Sequence, residues 1–268
     1  KDRWVKMEED EKPITPLARY LVWPLSVFSD EKAVKAAAAC IFVSESNLKK
    51  AVEYYGADPK RCFCIESGVN PVLFSKTSTE EIEKSRLDLG LDPEDKVILN
   101  HGVMSERKNV HLLVEALKFL PRNYKLLLVG SGDIGYAGKI NEMIATSGLS
   151  SRVIKVGYTP YPQTPIAYQV SDIFVLPSSW EGMPKVVMQG LSCGVPCLVS
   201  GFKLSEEIKG LYYLENLDPK YIAECIQNIV ESGKVFVDTV KVAEKYSWDE
   251  KAREVEKVYE FAKKNYLF

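Results

Sequence analysis

Histidine is scarce in this sequence: His101 and His111 are the only two in 268 residues. A Cys/His zinc site therefore has almost no material, and a hydrolytic triad lacks a suitable histidine and nucleophile. The six cysteines, Cys40, Cys62, Cys64, Cys193, Cys197 and Cys225, form no C-x-x-C pair. Most lie in apolar company, which reads as free thiols in a reducing cytoplasm. Neither charge sign dominates: 35 Lys and Arg face 37 Asp and Glu, a net charge of −2. That balance excludes a general nucleic-acid binder. No apolar run approaches the roughly 20 residues of a spanning helix. The longest, Tyr20 to Phe28, is broken by Pro24 and suits at most a position on a membrane surface. Internal repeats and low-complexity tracts are missing too. The chain opens on Lys1 without a signal-peptide pattern and runs into the polar KMEEDEK, so residues upstream are expected to be missing.

What is present is ordinary globular material, 46% hydrophobic and 27% charged, enough apolar surface to offset the entropy of ordering. The length fits one large domain or two small ones. From residue 97 short apolar runs alternate with amphipathic stretches: VILNH (97–101), KLLLV (125–129), VIKVG (153–157), IFVL (173–176), PCLVS (196–200) and GLYYL (210–214). Continuous apolar strands separated by helices predict an α/β fold whose parallel sheet is covered on both faces. Right-handed crossovers then make a doubly wound, Rossmann-like lobe over 97–246. Residues 1–75 hold a smaller unit, with AVKAAAACIFVS as helix into strand and CFCIES as another strand. The charged 76–96 segment predicts a linker, and a final helix is expected from Trp248 after Ser247.

Three segments carry candidate chemistry. GSGDIG (130–135) is a literal G-x-G-x-x-G, but it follows the second strand of the lobe. The next strand, VIKVG, leads into Tyr158 and Thr159 with no carboxylate for a ribose. A close-packing glycine turn is the better reading than an NAD site. The loop PSSWEGMPKVVMQG (177–190) puts Glu181 at the carboxyl end of a parallel strand, where α/β sheets place ligands. Gly182 permits unusual backbone angles, and Pro184 suits the first turn of a helix. The N–H groups near Met183 and Lys185 then suit an anion or hydroxyl, with Gln189 spaced to share the ligand with Glu181. The competing reading is a capping Glu and a solvated Gln. In HGVMSERKN (101–109), Arg107 and Lys108 suit a diphosphate; the alternative is a solvated basic turn.

Taken in order, these segments resemble the retaining glycosyltransferases of family 4, which have the GT-B fold. The resemblance rests on the glycine-basic loop, the G-x-G turn, Asp172 before IFVL, the Glu181 loop with its E-x(7)-E spacing, and CGVP (193–196). It extends to IESGVNPVLF (65–74) and to the closing YSWDEKAREVEKVYEF (246–261), covering about residues 40–264. Gln189 stands where the family has its second acid, and Val103 where it has an arginine. Most of the N-terminal lobe is not in the chain.

The resemblance implies a metal-independent, hexosyltransferase-like enzyme with a Rossmann-like donor lobe at 97–246 and an incomplete N-terminal, acceptor-side lobe at 1–75. Residues 76–96 would link them, and 247–268 would cross back. Glu181 and Lys108 would be catalytic. Lys108 with Gly102 and Arg107 would meet the diphosphate, Gln189 the ribose, and the backbone of Tyr158 the base. Glu181 with the Gly182, Met183, Pro184 and Lys185 turn would meet the sugar. No cofactor is expected, because the nucleotide-diphosphate sugar is a substrate. No D-x-D motif follows an apolar strand to hold it through a metal. The acceptor would be a carbohydrate or a lipid-linked sugar, reached in the cytoplasm or at the inner face of a membrane. Trp23, Leu25 and Phe28 are expected to be covered by the missing lobe, a partner chain or a membrane. The rival function is a non-catalytic nucleotide-binding or scaffold subunit completed by a partner chain. A third, NAD-dependent oxidoreductase chemistry, rests on GSGDIG alone.

Overall fold

Alternate residues of a strand point to opposite faces, so a strand that is apolar throughout needs cover on both sides. The computed structural model, which describes residues 28–266 except Asp133 and Lys234, supplies it. Six strands run parallel in the order β5-β4-β3-β6-β7-β8. They are β3 (Lys96–His101), β4 (Tyr124–Val129), β5 (Val153–Gly157), β6 (Ile173–Leu176), β7 (Cys197–Val199) and β8 (Leu211–Tyr213). One face of the sheet carries Val97, Leu99, Leu127, Val129, Phe174 and Leu176. These pack with Tyr168 of α5 (Pro165–Gln169), Val187 and Leu191 of α6 (Lys185–Ser192), and Val242 of α8 (Thr239–Tyr246). The other face carries Ile98, Leu126, Leu128, Ile173 and Val175. Against it lie Val114 of α3 (Val110–Ala116), Ile140 of α4 (Ile134–Thr146) and Ile226 of α7 (Pro219–Glu231). The sheet is doubly wound, with two cores.

The contacts divide the described residues at other points than the expected ones: Gly68–Trp248 form one unit, and residues 28–67 together with 249–266 form the other. Residues 68–96, expected as lobe end and linker, pack in the larger unit. Phe74 is fully buried in its core. Arg86, on α2 (Thr79–Asp88), donates to the carbonyls of Val170 at 2.7 Å and Asp95 at 2.5 Å. The charged surface of α2 reads as a linker in sequence, while one of its anchoring contacts, that to Val170, lies far along the chain. Asp172 earns its place before β6 by accepting from the Val97 amide at 2.7 Å, which fixes the β3–β6 register.

The smaller unit, described by itself, holds the parallel pair β1 (Cys40–Phe42) and β2 (Cys62–Cys64). It also holds α1 (Glu45–Tyr55), capped by Ser44, and α9 (Trp248–Tyr266) from Asp249 onward. Phe63 and Phe261 meet edge-on at 5.0 Å between ring centroids. Trp23 and Leu25 lie outside the described residues, while Phe28 is 55% exposed. Among the described residues, no helix is long and apolar enough to cross a membrane.

The glycine turn after β4 has a different purpose from the expected strand–helix contact. Gly130, at φ +121°, packs its backbone directly on Gly102, where a Cβ would clash. Hydrogen bonds then continue beyond the strands. The amide of Gly102 donates to Val129 O at 2.9 Å, Met104 to Ser131 O at 3.0 Å, and Gly130 to Gly157 O at 2.6 Å.

Candidate functional site

The strand order reverses between β3 and β6, and ligands of open α/β sheets bind beyond the carboxyl ends of the strands at such a point. The two loops that leave those strands there are tied together. Asn109, held at φ +49°, donates its side-chain amide to Pro177 O at 3.0 Å and Ser179 Oγ at 2.9 Å. In return the Ser179 amide donates to Arg107 O at 2.9 Å. Arg107 Nη1 pairs with Glu181 Oε1 at 2.8 Å and also meets the Trp180 carbonyl. Ser178 Oγ donates to that same Glu181 oxygen at 2.8 Å, and the Glu181 amide donates to Gly201 O at 2.8 Å. Glu181 is thus no helix cap, and its Oε2 has no hydrogen-bond partner among the described residues.

Lys108 has the least ordinary surroundings. It is only partly exposed, and its ammonium makes no hydrogen bond or ion pair among the described residues. Burial pushes its pKa down; the nearby Glu181 carboxylate opposes that and the Arg107 guanidinium adds to it. The Lys108 Nζ lies over Gly102, 2.5 Å from where a Cβ would stand, and it is the φ of +127° that favours glycine there, since the flexible lysine end could move aside. A desolvated cation with no direct hydrogen bond is costly, and a further anion beside it relieves the cost.

On the β6 side, Pro184 is the N-cap of α6 rather than a residue of its first turn. The amides of Met183 and Lys185 donate to nothing among the described residues, while the Met183 side chain is buried in the core. Gly182 links Glu181 to this open end. Gln189 is buried, and its Oε1 accepts the Tyr168 hydroxyl at 2.8 Å. That hydroxyl also lies 2.8 Å from His101 Nδ1. Tyr158, 78% exposed, follows β5 and so lies two strands from β3, roughly 10 Å away at the usual strand spacing. Val103 is exposed. Among the described residues, no three His, Cys, Asp or Glu side chains assemble as metal ligands.

Sequence reasoning missed His101 and Tyr168. The available signal was a lone histidine at the carboxyl end of a parallel strand. Burial and the neighbouring Lys108 ammonium push His101 down to about 4. The unfolded imidazole, near 6.5, takes up a proton at higher pH than the folded one, so stability is complete above about 6.5 and falls as pH drops toward 4. Between pH 8 and pH 5 this loss is expected to be about 2 kcal/mol. Urea denaturation of the parent and of His101→Asn at both pH values checks it: the parent's advantage should shrink by that amount. A constant difference would remove His101 as the cause.

Residues 81–246 match the family model described as "Glycosyl transferases group 1". An uncharacterized glycosyltransferase of Methanocaldococcus jannaschii is 28% identical over 236 residues, 83% of this chain and 60% of that protein. UDP-Gal:alpha-D-GlcNAc-diphosphoundecaprenol alpha-1,3-galactosyltransferase of Escherichia coli is 28% identical over 173 residues, 63% of this chain and 44% of that protein. The crystal structure of HepE from Anabaena, in complex with UDP and glucose, superposes with a TM-score of 0.78 at 18% identity. It covers 87% of this chain and 66% of that one, a likeness of fold. The chain spans about 60% or less of the length of these two curated relatives.

Proposed function

The chain belongs to the group 1 glycosyl transferases, with an α/β fold of the GT-B type, and on that premise we propose that it is the donor-binding part of a retaining glycosyltransferase that uses a nucleoside-diphosphate sugar. The observation that carries this reading is Lys108, a desolvated ammonium on the β3 loop that makes no hydrogen bond or ion pair among the described residues, with the amides of Met183 and Lys185 open on the β6 loop across the switch point. The ammonium suits the two phosphates, whose negative charge grows as the sugar departs, while the Met183 and Lys185 amides sit on the Glu181 side and suit the sugar. Glu181, with Oε2 open, suits a sugar hydroxyl, and Gln189 suits the ribose. The backbone at Tyr158 would meet the base, at the distance a nucleoside diphosphate spans.

Retention would follow from front-face attack, in which the leaving phosphate helps remove the acceptor proton. The residues named above would then bind the departing diphosphate more tightly than the intact donor, which is what lowers the barrier. No cofactor or metal is called for in this scheme. The E. coli relative names a UDP sugar and a diphosphoundecaprenol acceptor, which supports a nucleotide sugar and a carbohydrate or lipid-linked acceptor here. Six free thiols support a reducing compartment, hence the cytoplasm or the inner face of its membrane.

A second reading, a nucleotide-binding subunit without catalysis completed by a partner chain, is favoured by Gln189 and by the exposed Val103 where the family pattern carries charge. A thermal-shift panel of UDP-, GDP- and ADP-sugars, followed by a turnover assay on whichever binds, separates the two. Binding with turnover supports the enzyme, and binding without it the subunit. A chain that none of the donors stabilises ends both. Within the same assay, Gln189→Glu is expected to tighten nucleotide binding by about 1–2 kcal/mol. One carboxylate oxygen would keep the Tyr168 hydroxyl while the other accepts from the ribose. Calorimetry that finds no gain would remove Gln189 from the ribose.

A further inference from the structure

His101, Tyr168 and Gln189 come from three separate elements, the end of β3, α5 and the second turn of α6, and join into one chain of 2.8 Å hydrogen bonds. The direction of that chain is set by counting hydrogens. A tyrosine hydroxyl has one, and here it goes to Gln189 Oε1. The contact with His101 Nδ1 therefore needs its hydrogen from the imidazole, which makes His101 the Nδ1–H tautomer with Nε2 unprotonated. Every fully buried side-chain nitrogen and oxygen among the described residues has a partner, yet Gln189 Nε2 has none. Nε2 is thus the part of this 7%-exposed residue that reaches outward, while Oε1 is held inward.

We propose that His101 is a positioning residue of the donor site: through Tyr168 it fixes the orientation of the Gln189 amide, so that the site presents an N–H donor to a ribose hydroxyl oxygen. The role rests on the donor-site reading above. It explains how an amide serves where the family pattern has a carboxylate. A freely flipping amide would offer oxygen or nitrogen at random, while one whose oxygen is already engaged offers only nitrogen. Burial keeps the imidazole neutral over the ordinary pH range, so the relay carries no charge and keeps one direction.

The test begins with the free protein. ¹⁵N spectra of the two imidazoles, separated by a His111→Gln variant, are expected to show His101 as the neutral Nδ1–H tautomer from pH 8 to pH 5. An Nε2–H tautomer overturns the proposal. Calorimetric titration with UDP, GDP and ADP follows. For the nucleotide that the parent binds best, His101→Leu is expected to weaken binding five- to tenfold. His101→Asn, whose side-chain N–H replaces the Nδ1 donor, is expected to restore it to within twofold. Tyr168→Phe should match the leucine variant, and the double variant should lose no more than either alone, because one relay is cut once. Unchanged binding in His101→Leu, additive losses, or failure of asparagine to rescue in a folded protein each overturn the positioning role alone. A parent that binds none of the three nucleotides overturns the donor-site reading and this role with it.

Discussion

Replacing Lys108 by alanine is expected to weaken nucleoside diphosphate binding about ten- to hundredfold, the equivalent of one charge-assisted contact of about 1.5–3 kcal/mol. The loss is large because little stands ready to compensate. Arg107, the neighbouring cation, spends its guanidinium on Glu181 and on the Trp180 carbonyl. It would have to abandon a 2.8 Å ion pair to replace Lys108. The adjacent Val103 offers no charge. The substitution should leave the fold intact, since Lys108 makes no hydrogen bond or ion pair among the described residues that the variant would lose. Removing a desolvated ammonium also relieves the free protein. A modest rise in melting temperature without nucleotide, with a collapse of the nucleotide-induced shift, would be the combined signature. Calorimetry that returns the parent affinity would make Lys108 an ordinary residue of a basic turn. Because burial lowers its pKa, the parent's affinity should also fall on the alkaline side at a lower pH than an unperturbed lysine would give.

Glu181→Gln is expected to reduce turnover about 10²- to 10³-fold while changing nucleotide affinity by less than about twofold, the size of effect seen when one preorganised group at a developing charge is lost. Glutamine keeps the shape of the side chain, and its backbone amide still donates to Gly201 O, so the loop should retain its course. The charge is removed. Ser178 and Arg107 both converge on Oε1, which leaves Oε2 as the acceptor for a sugar hydroxyl, and an amide nitrogen at that position would donate instead of accept. An intact kcat combined with weakened nucleotide binding would reassign Glu181 to holding Arg107 and the loop.

The strands were legible in the sequence because their runs are mostly apolar, those of β3, β4, β6 and β7 almost wholly buried, and each of the six lies within a residue or two of its observed place. The sequence also placed the two loops where the structure has them, after β3 and after β6, because each follows directly on an apolar strand. Pairing across distance was not legible. The sequence presents Arg107 and Glu181 as two ligand-facing groups, and folding spends part of one on the other. The 68–96 segment hides its membership of the larger unit because a few buried contacts, Phe74 and the Arg86 guanidinium, anchor an otherwise polar surface. The His101–Tyr168–Gln189 relay joins residues 67 and 21 positions apart, with no local pattern to announce it.

The hydrogen bonds that continue from β3, β4 and β5 into the loops beyond them bear on the entropy of binding. Fixing the backbone of one loop residue costs about 1–2 kcal/mol, and a loop that orders only when ligand arrives subtracts that cost from its affinity. Here the backbones at Gly102, Met104 and Gly130 are already fastened to their neighbours by the same kind of bond that holds the sheet. Much of the ordering is therefore complete when the chain folds. On the proposed donor-site reading, a nucleotide arriving at the β3 and β4 loops would meet a surface whose shape is set in advance, and it would keep more of the free energy of each contact it makes.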